Sequence, residues 1–330
     1  MADATLAGIA EAPIGTVVAE PKGTKTFHAK VFLGLTALLL VAPFLLYPVF
    51  LMKILCFALF ASAFNLLLGY GGLMSFGHAA YFGMASYVSA HAAKVWGFPP
   101  ELAILSGTIV GTLLGVVFGM LAIRRQGIYF AMITLALAQM VFFFSVQAKF
   151  TGGEDGIQAV PRGTMFGFLN LGDDRTLYYV VAAIFMFGLL AMYRIIHSPF
   201  GQVMKAIRDN EPRAISLGYR VNQYKLAMFT LSTAIAALAG ATKAIVFQLA
   251  SLTDVTWTMS GEVVLMTLVG GLGTVFGPFV GAAVIVTMEN YLATLGAWVL
   301  VVQGVIFVLC VLAFREGIVG LFARKLKQPL

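Results

Sequence analysis

The chain has 330 residues, 60% of them hydrophobic and 11% charged, with a mean hydropathy of +0.94; a water-soluble globule carries about 25% charged residues, so this composition excludes one and demands lipid as solvent. The formal charge of +7, from 21 Lys+Arg against 14 Asp+Glu, points to retained cytoplasmic loops and not to a nucleic-acid partner. Cys56 and Cys310 both sit in apolar runs with no CxxC or Cys/His spacing, which gives no support to a disulfide framework or a metal site.

Residues 1–30 hold small residues, Pro13, Pro21 and scattered charge, with Lys22, Lys25 and Lys30 just before the first apolar run. This reads as a flexible cytoplasmic tail, since a cleavable signal would place its apolar stretch nearer the start. A spanning helix needs roughly 20 mainly apolar residues. Such runs predict spans at 31–50, 53–69, 78–95, 102–123, 128–146, 177–195 and 226–247, a broken stretch at 261–292, and a last span at 297–314. The fold class is therefore all-α: a polytopic transmembrane helix bundle with about 8–10 spans. The membrane-embedded body would be 31–315, with an outer loop at 148–176, a cytoplasmic loop at 197–225 and a basic cytoplasmic C-terminus at 316–330.

Orientation follows from the basic residues, because positively charged loops stay in the cytoplasm. Placing the tail inside puts Arg124/Arg125, the loop from Arg194 to Lys225 and the terminus from Arg315 to Lys327 inside too, for fifteen basic residues. Four lie outside: Lys94, Lys149, Arg162 and Arg175. Lys53 and Lys243 fall near outer helix ends, where a long side chain reaches the headgroups. One plain span at 261–292 would put the basic C-terminus outside, so an even number of crossings or a re-entrant hairpin is required there. Gly270, Gly271, Gly273, Gly277 and Pro278 mark where its helix breaks. Gly71-Gly72-Leu73-Met74-Ser75 echoes Gly270-Gly271-Leu272-Gly273-Thr274; two related halves and a chance match of small residues both account for it.

The loop from Ser198 to Gly218 is polar and basic, and it holds a short helix: Asn210 suits the N-cap, Pro212 the first turn, Ala214, Ile215 and Leu217 an apolar face, and Gly218 the end. Such a knob can dock in a partner's groove. Basic amphipathic segments more commonly lie at the headgroups, and the pattern alone favours that reading.

A resemblance changes the balance. The stretch 201–240, with Lys-Ala-Ile-Arg-Asp-Asn-Glu at 205–211, Ala214, Gly218, Tyr224-Lys225-Leu226, Phe229 and Ala239-Gly240, resembles the coupling-loop region of the LivM-type branched-chain amino-acid permease family. Leu68-Gly-Tyr-Gly-Gly-Leu-Met-Ser-Phe-Gly-His-Ala-Ala-Tyr-Phe-Gly83 is similar to the family's first glycine-rich signature. Thr151-Gly-Gly-Glu-Asp-Gly156 is similar to its external loop, and Gly261-Glu262 through Leu272-Gly273-Thr274 with Gly277-Pro278 to its last signature. Four matches in the same order over 60–290 are more specific than any one. Pro212 stands where a small or aliphatic residue is expected, and the segment before Phe27 matches nothing.

The resemblance implies a permease subunit of an ATP-binding-cassette importer in the bacterial inner membrane, with both termini cytoplasmic. Its cargo would be leucine, isoleucine, valine or similar small amino acids. It implies a homologous LivH-type permease partner, two ATPase subunits of LivG/LivF type that carry ATP and Mg, and a periplasmic substrate-binding protein. Asp209, Asn210, Glu211, Ala214 and Gly218 would then contact the ATPases. The chain has no Gly-x-x-x-x-Gly-Lys-Ser/Thr phosphate loop, so its energy comes from elsewhere, and no cofactor is expected in it.

Asn65, Ser75, His78, Glu262 and Thr274 are polar groups in or beside apolar spans, and so are candidates for the translocation path. His78 invites a proton-relay or ligand reading, but a lone histidine near a helix start is more often structural. Glu262 falls near the outer surface, where it contacts substrate or simply favours a helix N-terminus. Three rivals remain: a permease of the same family for urea, short amides or small organic acids; an ion-coupled secondary transporter; and a membrane enzyme. Asp and Glu cluster at loops and span ends, which argues against ion coupling. No paired carboxylates, His/Asp cluster or Ser/His/Asp grouping supports an enzyme.

Overall fold

The computed structural model describes residues 23–292 together with 298, 301, 302, 304, 305, 308 and 317–320. The expected tail up to residue 22, the expected span at 297–314 and the C-terminal basic stretch lie wholly or largely outside the described residues. The chain forms α1 (Gly23–Leu45), α2 (Pro48–Asn65, continued by a π turn over Leu66–Tyr70), α3 (His78–Lys94), α4 (Pro100–Ala122), α5 (Ile128–Gln147), α6 (Asp174–Ile196), α7 (Pro199–Asp209), α8 (Glu211–Ser216), α9 (Val221–Phe247), α10 (Trp257–Gly270) and α11 (Gly277–Leu292). It is an all-α helix bundle.

Helix starts follow capping chemistry more than hydropathy. Proline sits in the first turns of α2 and α4, where its missing N–H costs nothing. Asp173 caps α6 by accepting from the Thr176 amide at 3.1 Å and hydroxyl at 2.9 Å, so that helix begins before the apolar run at Leu177. These Thr176 bonds hold the Asp173 carboxyl below the usual carboxylate range. α1 reaches back to Gly23, into the stretch expected to be tail, although its apolar part begins only at Lys30.

Among the described residues, α2 with its π turn, α4, α5, α6 and α9 are long and apolar enough to cross a membrane. α3 has 17 residues and a lower apolar content, but nearly every side chain on it is buried. Protein instead of lipid surrounds it, which relaxes the demand for apolarity. α2 and α9 form the centre. α9 packs on α2, α3 and α4, while α6 and α11 cover the other side of α2. Close approach is required at Gly240 of α9, where an added Cβ would run into the Phe82 carbonyl oxygen of α3. α4 and α5 turn Leu105, Ile109, Leu113, Met132, Met140 and Phe143 outward as a lipid-facing surface.

The broken stretch is resolved as a helical hairpin. α10 runs inward, the chain turns through 271–276, and α11 returns beside it. At one end of the bundle, β1 (Ile157–Gln158) pairs antiparallel with β4 (Leu249–Ala250), and β2 (Thr164–Met165) with β3 (Leu169–Asn170). Arg162 fastens the same end by donating to Asp174 at 2.7 Å and to the Val246 carbonyl at 2.8 Å. Lys243 corrects an expectation. Instead of reaching outward, its ammonium is buried against both Asp254 carboxylate oxygens at 2.8 and 2.6 Å, because the loop that follows α9 brings that carboxylate back over it.

Candidate functional site

The opposite end of the bundle carries α7 and α8, so the expected single short helix is in fact two. The Ser198 hydroxyl caps α7 by accepting from the Gly201 amide at 3.2 Å, and Gly201, Met204 and Ile207 turn inward at helical spacing. Asn210 ends α7 and caps α8, its Oδ1 accepting from the Arg213 amide at 3.0 Å, as expected of it. Gly218 closes α8 at φ +86°, a conformation that favours glycine.

The expected apolar face of α8 is split. Ala214 is buried against the bundle, whereas Ile215 and Leu217 project outward, 57% and 68% exposed. Glu211 points inward, accepting from Lys225 at 2.7 Å and from Gln126 at 2.8 Å, which pins α8 to the start of α9 and to the turn after α4. Asp209 is exposed and paired with its neighbour Arg208.

Arg208 is the residue that sequence reasoning missed. Its guanidinium donates to the Gly69 carbonyl at 2.6 Å, linking α7 to the π turn that ends α2. A wide turn leaves that carbonyl available to an outside donor. Lys205 lies over the Tyr70 ring at 5.5 Å and strengthens the same junction. The period of Gly201, Met204 and Ile207, with Lys205 and Arg208 each following a buried position, is the one local signal of α7, and the basic loop around it hides that period.

One turn above Gly69, the fully buried Asn65 joins the two glycine breaks. Its amide nitrogen donates to the Thr274 carbonyl at 2.8 Å, and its Oδ1 accepts from the Gly273 amide at 3.0 Å. The approach is tight, since a Cβ at Gly69 would strike both Asn65 and the Gly273 backbone. Thr274 also caps α11, accepting from the Gly277 amide at 3.1 Å. The two glycine segments have the same form: Gly72 (φ +68°) and Gly271 (φ +123°) each follow a glycine at a helix end, and each precedes a new helix, at His78 and Gly277.

The remaining path candidates do not converge. Ser75 is buried at the lead-in to α3, accepting from the Gly77 amide at 3.3 Å. His78 is enclosed by Phe64, Tyr81 and Phe229. Ser232 spends its proton on the Ala63 carbonyl at 2.6 Å, so the bond of 2.8 Å between His78 and Ser232 has Nε2–H as donor. That is a structural cross-link between α2, α3 and α9. Glu262 lies in the second turn of α10, roughly 12 Å along the helix from Gly270. It lines a separate cavity at the strand-bearing end, with Lys53, Asp254 and Glu289.

Residues 48–311 match the model of a family described as the permease component of the branched-chain amino acid transport system. The chain is 24% identical to the high-affinity branched-chain amino acid transport system permease protein LivM of Salmonella typhimurium over 286 residues, which is 80% of this chain and 67% of that one. LivM of Escherichia coli gives the same figures. The ribose import permease protein RbsC of Bacillus subtilis is 30% identical over 238 residues, covering 67% of this chain and 70% of its own length. No solved structure matches.

Proposed function

We propose, given that this chain belongs to the family of branched-chain amino acid transport permeases, that it forms one membrane-spanning half of an ATP-driven importer of leucine, isoleucine, valine or similar small amino acids. A homologous permease supplies the other half. ATPase subunits bind ATP and Mg on the cytoplasmic side, and a periplasmic binding protein delivers cargo to the outer loop. The chain sits in the bacterial inner membrane with both termini cytoplasmic, so that Arg124, Arg125, α7 and α8 face the ATPases.

One observation carries this reading: an unbroken series of contacts from the exposed face of α8 to the glycine breaks. Ile215 and Leu217 offer apolar knobs to a partner groove. α8 is pinned to the bundle by Glu211, α7 is bonded to Gly69 through Arg208, and Asn65 one turn away holds the α10–α11 turn. A push on α8 is thereby passed to the place where both broken helices meet, and that is the geometry an engine-less permease needs. Removing residues 210–218 should abolish stimulation of ATPase activity by cargo-loaded binding protein while the permease still folds and assembles. Unchanged stimulation would remove the role. The ribose permease relative favours a second reading, a sugar or other small polar cargo, and a binding panel on the cognate periplasmic protein separates the two.

A further inference from the structure

At the outer end, a cavity of about 370 Å³ opens between α2, α9, α10 and α11. Its polar wall carries both signs of charge, from Lys53, Lys243, Asp254, Glu262 and Glu289. These five groups are not equivalent. Lys243 and Asp254 are buried and saturated by each other and by the Ser251 amide, so they form the floor. Lys53 meets Glu289 at 3.6 Å, longer than the 2.7–2.9 Å of a charge-assisted hydrogen bond, and both side chains keep some exposure. Glu262 is half-buried and makes no hydrogen bond or ion pair among the described residues, although Glu289, Lys53 and Asp254 are within electrostatic reach. A carboxyl held in such a site without a bonded cation either takes up a proton or pairs with a cation that arrives. The remaining wall is apolar: Phe57, Phe247, Leu249 and Met259.

We propose that this cavity is an entry site for a zwitterionic amino acid, with the α-ammonium on the Glu262 carboxylate, the α-carboxylate on the Lys53 ammonium, and an aliphatic side chain against Phe57 and Met259. The volume is within the range of small-molecule sites. The loose contact with Glu289 lets Lys53 turn to an incoming carboxylate while Glu289 remains beside it. A neutral sugar would leave these charges unmatched, so the site discriminates against the cargo of the ribose relative. β4 borders the cavity and is paired to β1 of the outer loop, which puts the site next to the surface where cargo is handed over.

This inference rests on the importer reading above. The test is ATP-driven uptake by the full transporter in proteoliposomes, with radiolabelled leucine, 4-methylpentanoate (no ammonium), 3-methylbutylamine (no carboxylate) and ribose. Leucine alone should be imported. Glu262→Gln and Lys53→Gln should each raise the apparent KM for leucine about tenfold or more, Glu262→Asp should recover most of the loss, and the yield of assembled transporter in size-exclusion profiles serves as the check on folding. Leucine import with an unaltered KM in both neutral variants overturns the site and leaves the importer reading intact. Import of ribose without leucine overturns the amino-acid reading itself.

Discussion

Replacing Asn65 by alanine tests whether the two glycine breaks are held together by one side chain. The substitution removes bonds of 2.8 and 3.0 Å and strands the Thr274 carbonyl and the Gly273 amide in a part-buried place. Interhelical side-chain bonds in membrane proteins average about 0.6 kcal/mol, whereas a buried polar group left unpaired costs about 1–3 kcal/mol. Two bonds therefore bracket the loss between about 1 and 6 kcal/mol. The upper part of that range is expected here, because both bonds tie the turn at 271–276 to a fully buried side chain of α2. The assay is denaturant-induced unfolding of the purified permease in detergent, followed by near-ultraviolet circular dichroism, with exposed Asn222→Ala as the control expected within about 0.5 kcal/mol of the parent. Asn65→Asp should fall between, since it keeps the acceptor for Gly273 but sets an anion against the Thr274 carbonyl. An Asn65→Ala loss no larger than that of the control would refute the bridge.

Arg208→Ala should leave the permease assembled but cut the leucine imported per ATP hydrolysed by about tenfold or more, because it removes a charged hydrogen bond of 2.6 Å to Gly69; an unchanged ratio would show that α7 transmits nothing through that bond. Gly240→Val should nearly abolish folded permease in size-exclusion profiles, since its Cβ would collide with the Phe82 carbonyl on an opposing backbone that cannot swing aside. A normal yield would mean that α3 and α9 can part at little cost.

Lipid as solvent made most of the architecture legible. A chain that must satisfy every backbone group internally has few options, so hydropathy located the cores of α2, α4, α5, α6 and α9. The charge balance demanded a returning stretch at 261–292, and α10 and α11 supply it. α7 escaped because it is amphipathic and short inside a basic loop, where polarity conceals the period of Gly201, Met204 and Ile207. Asn65 and Thr274 were each singled out as polar groups in apolar surroundings, but nothing local says that two residues 209 positions apart touch. Lys243 deceived for the opposite reason: its place near a helix end suggested a headgroup contact, and the Asp254 that claims it lies beyond the span, in the next loop. Glu262 shares a cavity with residues far from it in sequence, and only the packing of α10 against α2 and α11 brings them together.

α2 carries Lys53 in its second turn and Gly69 where its winding loosens, sixteen residues apart and about 24 Å along the axis. The cavity at the strand-bearing end and the Arg208 contact at the other thus ride on a single axle. Tilting that axle at one end levers the other, so neither end can be displaced alone unless the rod between them bends.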